Sequence, residues 1–143
     1  MSIFVRSSSP WTERMLSSLR IVAGLVFFVG GTMKPFGFPP FPASAPPLPM
    51  PPMWEFHLAG WLETCLGAAF TLGFLTRPIS FVLAGEMAVA YFQIHFPLSF
   101  WTTVNWGGPA LNYCFLFLYF MFAGAGPWSI DALIAGRSAR RID

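Results

Sequence analysis

Glu63 and Glu86 each stand in the middle of a long apolar run, WLETCLGAAFTLGFL and FVLAGEMAVAYF. A charge placed in hydrocarbon costs roughly 2.5 kcal/mol or more on insertion scales. Such carboxyls therefore turn toward each other, toward another polar group or toward a water-filled cavity. With a helical rise of about 1.5 Å per residue and an apolar core of about 30 Å, the two acids differ in depth by roughly 6 Å. If the helices also bring them side by side, the two acids cannot both stay charged cheaply, and a proton shared between them, or exchanged with a redox ligand, is the chemistry that follows. A purely structural role competes, in which each acid is neutral and bonded to a backbone carbonyl or to Asn112 or Tyr113 of a neighbouring helix.

Other polar side chains gather toward one end of these runs. Glu86, Ala90 and Gln93 share a helical face that leads to His95, so polarity rises along it like an entry path. His95 reads either as a satisfied interfacial histidine or as a proton carrier at the mouth, and His57 as an interfacial residue. Lys34 either snorkels outward or pairs with Glu63 or a ligand oxygen. Cys65 and Cys114 lie inside apolar runs, which argues against a disulfide framework and for small packing residues. No spacing of metal ligands, phosphate-binding glycine loop or nucleophile elbow is present, so no metal is expected.

The elements that must position these groups follow from composition. The chain has 143 residues, 55% hydrophobic and 10% charged, with 17 Phe and 6 Trp, against roughly one quarter charged in soluble domains. The lipid bilayer is its expected surrounding. A formal net charge of +2 gives no basic surface for nucleic acid. The length suits one domain over 1–143, and the apolar runs predict an all-α bundle of four transmembrane helices at about 16–33, 55–75, 78–96 and 107–123. The first run is long and lacks a small-x-small cleavage site, so it is expected to be retained, ending at Lys34-Pro35. The loop 35–54 holds PPFPASAPPLPMPP, which excludes helix and predicts an extended strap that is either a stiff spacer, a docking segment or a lid. Only Thr76 and Arg77 separate the second and third runs, a tight hairpin, and Ser129 is placed to cap a short terminal helix carrying Asp131.

Arg6, Arg14, Arg20, Arg77, Arg137, Arg140 and Arg141 all fall on one side of the four runs, which puts both termini in the cytoplasm and the proline-rich loop outside. Gly60, Thr64, Gly67 and Thr71 form a small-residue stripe on the second run. Arg20, Gly24, Phe27, Gly31 and Lys34 share one face of the first. Close packing of these two stripes is expected, with Glu63 turned inward beside them.

Several segments resemble the DoxX family of small four-helix membrane proteins: RIVAGLVFF at 20–28, KPFGFP at 34–39, GEMAVAYFQIHFP at 85–97 and GAGPWSIDAL at 124–133. WLETCLGAAFTLGFLTRP is similar to the family's second helix, with Glu63 and Arg77 at matching positions. The chain departs from the family where it reads Gly30 in place of a histidine late in the first helix, and Gly108 where Asn-x-Gly-Glu often opens the fourth. The resemblance implies a multi-pass protein of the bacterial inner membrane tied to respiratory or thiol redox systems, with a quinone as the implied ligand. On that reading Glu63 and Glu86 handle protons while Lys34, His95 and Asn105 shape the ligand's outer mouth. No haem, flavin or cluster motif is encoded, so electrons would pass through a partner or the cysteines. The alternative is a non-catalytic accessory subunit packed against a larger assembly of membrane protein subunits. A small-molecule carrier fits less well, because no broken, paired repeats are present.

Overall fold

A computed structural model describes residues 9–44 and 47–139. The chain is all-α: α1 (Pro10–Phe36), α2 (Met53–Leu72), α3 (Thr76–Ala90), α4 (Gly108–Ala123) and α5 (Ile130–Ala139), with a π-helical turn at Tyr91–His95 that prolongs α3. No strand occurs among the described residues. Ser9 starts α1, its hydroxyl accepting the Trp11 N–H, with Pro10 at the first helical position where a missing N–H costs nothing. Pro35 does not stop this helix. It lies in the last turn, and the helix closes at Gly37, left-handed at φ 64°, whose N–H donates to the Met33 carbonyl.

Among the described residues, α1 is the helix both long and apolar enough to cross a bilayer, and α4 is apolar but shorter. In α2 the acids Glu55 and Glu63 and His57 lower the apolar character, and α3 spans 15 residues before its π turn. Of the basic flank, Arg6, Arg140 and Arg141 lie outside the described residues.

The two small-residue stripes do pack together. A Cβ on Gly31 would fall 2.7 Å from the Thr64 nitrogen, one on Gly24 2.4 Å from Thr71 Oγ1, and one on Gly60 2.6 Å from Lys34 Cβ. Only glycine lets the two backbones approach this closely. Behind this seam α3 packs along α4, and the core is aromatic. Phe117 meets Phe27 and Phe70 edge-on at centroid distances of 4.9 and 5.0 Å, and Phe70 meets Phe120 at 5.1 Å. Each such pair contributes about 0.5–1.5 kcal/mol beyond its buried area.

Arg20 is not the flanking surface charge that the sequence suggested. It is fully buried, and its guanidinium donates to the Ala125 carbonyl at 2.8 Å, to Phe70 at 2.9 Å and to Thr71 and Trp128. Phe70 and Thr71 belong to the last turn of α2, so Arg20 caps carbonyls at the helix end, of which that of Phe70 also accepts the Gly73 N–H at 3.0 Å. Gly73 follows at φ 70°, where a Cβ would fall 2.9 Å from Arg20 Cζ. Asp131 completes the knot, accepting the Leu75 and Thr76 N–H groups at 2.8 and 2.9 Å. Ser129 caps α5 as expected, its Oγ accepting the Ala132 N–H at 3.1 Å. This knot fixes one end of the bundle, and Lys34, Glu63 and Glu86 lie toward the other.

Candidate functional site

Lys34 comes from the last turn of α1 and Glu63 from the middle of α2, and the glycine seam brings them together. Gly31 sits under Glu63, leaving no room for a Cβ, and Gly60 does the same under Lys34. The result is an ion pair of 2.5 Å between Lys34 Nζ and Glu63 Oε1, with the glutamate almost wholly buried. Of the alternatives open for Lys34, the structure takes the pairing with Glu63. Lys34 Nζ also lies 6.0 Å from the centre of the Phe56 ring.

Glu86 projects from α3 into the same space, within electrostatic reach of both Glu63 and Lys34. Both of its carboxyl oxygens are buried, and neither has a hydrogen-bond partner among the described residues. Tyr113, which a purely structural role would enlist, instead directs its hydroxyl at the Ala23 carbonyl 3.4 Å away. A buried acid without a partner is costly, and native structures rarely retain one without a reason.

These three groups line a cavity of about 530 Å³ enclosed by the end of α1, the first half of α2, and α3 with its π turn. Its walls are mostly apolar, among them Leu58, Leu62, Val82 and Met87. The proline-rich strap forms part of the wall through Phe41, Leu48, Met50 and Pro51, so its described residues act as a cover. Proline favours this role because it holds an extended path with few exposed N–H groups. Phe41 leans on Phe56 at a centroid distance of 6.4 Å. At the mouth Gln93 Nε2 donates to Glu55 Oε2 at 3.1 Å.

His95 also lines the cavity. Its Nδ1 lies 2.9 Å from the Asn105 carbonyl, which can only accept, so Nδ1 carries the proton and Nε2 is left to accept or be protonated. Asn105 sits elsewhere. Fully buried, it uses Nδ2 to donate to the Ser99 carbonyl at 2.8 Å and Oδ1 to accept the Gly107 N–H at 2.7 Å. It orders the 99–107 loop and orients His95, and it is not among the cavity's lining residues. Glu55 is a lining residue that the sequence gave no reason to single out, since it opens a helix where an acid serves the dipole anyway. Cys65 and Cys114 are both free thiols.

Comparison with known proteins bears on this site. The DoxX family model matches residues 15–96, a stretch that holds Lys34, Glu63, Glu86 and His95. A protein of Haemophilus influenzae (strain ATCC 51907 / DSM 11121 / KW20 / Rd), described only as uncharacterized, is 38% identical over 119 residues, covering 81% of this chain and 87% of its own length. No solved structure matches.

Proposed function

Because the chain belongs to the DoxX family, a membrane family, we propose that it serves in the bacterial inner membrane as a redox-associated subunit whose cavity binds a quinone or similar lipid-like molecule. On this reading residues 1–143 form one domain. α1, α2, α3 with its π turn, and α4 cross the bilayer with both termini in the cytoplasm, and the proline-rich strap lies outside. The basic residues Arg14 and Arg77 fall at the same end of the bundle as the Arg20 knot, which fits that orientation.

The single observation that carries the proposal is Glu86, a buried carboxyl with no partner among the described residues, facing an apolar cavity beside an ion pair. The volume lies within the range of about 300–1,000 Å³ usual for small-molecule sites, and a few polar groups in an apolar wall are the usual means of orienting a guest. A bound quinone supplies two-electron, two-proton chemistry. Glu86 in its acid form donates to a ligand oxygen, Lys34 holds Glu63 in an ion pair, and His95 Nε2 passes protons at the mouth. Electrons come from a partner subunit.

The test is binding of a short-chain quinone to the full-length protein in mild detergent. The reading requires saturable binding that Glu86→Gln weakens; unaltered binding in both Glu86→Gln and Glu63→Gln removes the proton-handling role. A second reading, an accessory subunit packed against a larger assembly, draws on the exposed aromatic side chains Phe81 and Phe92 of α3 and its π turn and Phe115, Tyr119 and Phe122 of α4. It predicts that the protein leaves the membrane only within a larger complex, with no ligand of its own.

A further inference from the structure

Resting on the reading that the cavity binds a lipid-like guest, the balance of charge along its wall narrows the kind of guest. Three carboxyl groups, Glu55, Glu63 and Glu86, face one ammonium, Lys34. Lys34 is already answered by Glu63 at 2.5 Å, and Glu55 is bonded by Gln93 at the mouth. His95 turns its Nδ1 proton to the Asn105 carbonyl and so does not direct that proton at Glu86. Glu86 is the one acid on this wall left without a donor among the described residues. A guest carrying only acceptor oxygens satisfies one oxygen of a neutral Glu86 and leaves the other bare. A guest carrying N–H donors and a positive charge takes Glu86 in its ionised form and answers both oxygens, through charge-assisted bonds about twice as strong as neutral ones.

We propose that the cavity takes amphipathic amines: molecules with an apolar body that lies against Leu62, Val82 and Met87 and a protonated nitrogen that bonds to Glu86. The aromatic pair Phe41 and Phe56 adds ring faces suited to a cation or an aryl group. Lys34 does not block such a guest, because its charge is held by Glu63.

The test uses the full-length protein in detergent and three probes, phenylbutylammonium, its neutral counterpart phenylbutanol, and a short-chain benzoquinone, each titrated by calorimetry. The ammonium is expected to bind about tenfold more tightly than the alcohol, the difference that one charge-assisted bond supplies. In Glu86→Gln that difference disappears, while retained binding of the alcohol reports that the cavity still stands. Equal affinity of ammonium and alcohol for the wild-type protein overturns the inference without recourse to any variant. Quinone binding alongside that equality leaves the proposed function intact and removes only the amine. Failure of all three probes to bind overturns both.

Discussion

Lys34 Nζ and Glu63 Oε1 meet at 2.5 Å across a seam where Gly31 and Gly60 stand in place of side chains. The pair is a product of helix packing, because a lysine stem reaches a glutamate on the adjacent helix only if the backbones nearly touch. Removing one partner strands a buried charge, and removing both does not. Lys34→Met is therefore expected to destabilise the protein by about 3–5 kcal/mol, whereas Lys34→Met combined with Glu63→Met recovers most of that loss. Unfolding of the single and double variants in detergent checks it. A double variant as unstable as the single would mean that the pair is not what Lys34 contributes.

Two glycines three decades apart in sequence separate packing from propensity. Gly60→Ala puts a Cβ 2.6 Å from Lys34 Cβ and 2.7 Å from Pro35 Cδ, so it should cost about 1–3 kcal/mol and loosen the ion pair. Gly30→Ala meets nothing within 4 Å among the described residues and should stabilise α1 by about 0.5–1 kcal/mol. The same open space makes Gly30→His and Gly108→Glu, which restore residues common in the family, compatible with the fold. Melting temperatures in detergent of the four variants give the order.

Arg20 spreads one guanidinium over four carbonyls from the end of α2 and the 125–128 turn. A lysine keeps the charge but lacks the planar fork, so carbonyls are left bare. Arg20→Lys should cost roughly 3 kcal/mol or more, far beyond a conservative exchange. Hydrogen exchange should rise first at the C-terminal turn of α2. Protection unchanged there would show that those carbonyls do not depend on Arg20.

Much of this was legible in the sequence, and the parts that were not share a cause. The glycine stripes on α1 and α2 announce close packing because small residues at helical spacing have one strong physical use, and that seam buries Glu63. Ser129 is similarly plain as a cap. Arg20 was misjudged because basic residues near the end of an apolar run ordinarily mark a membrane flank, although its place on the same face as Gly24 and Gly31 was the available signal. The Pro35 boundary failed because a proline in the final turn of a helix removes at most one bond before Gly37 closes it. Asn105 was read from its position near the mouth, where only tertiary structure reveals that both ends of its amide are used within its own loop.

Asn105 offers a way to perturb the cavity without entering it. Asn105→Ala frees the Ser99 carbonyl and the Gly107 N–H and loosens the loop that orients His95. The expected cost is about 1–3 kcal/mol, with the signals of His95 and residues 99–107 broadening in solution NMR spectra. A ring of His95 held as before would mean that Tyr91 and the π turn position it unaided.

Glu86 gives the sharpest separation of function from folding. An acid that held the bundle together would have a partner to lose, and neither oxygen of Glu86 has one among the described residues. Replacing it with leucine removes an unanswered polar group from an apolar wall, so Glu86→Leu should raise stability by about 1–3 kcal/mol while abolishing recognition of any polar guest in the cavity. Unfolding midpoint and ligand titration on the same preparation measure the two effects together. A less stable Glu86→Leu would identify the carboxyl as part of the scaffold, because only a residue whose bonds support the fold is missed by it. Greater stability joined to lost binding is the pattern of a group kept for the guest it awaits.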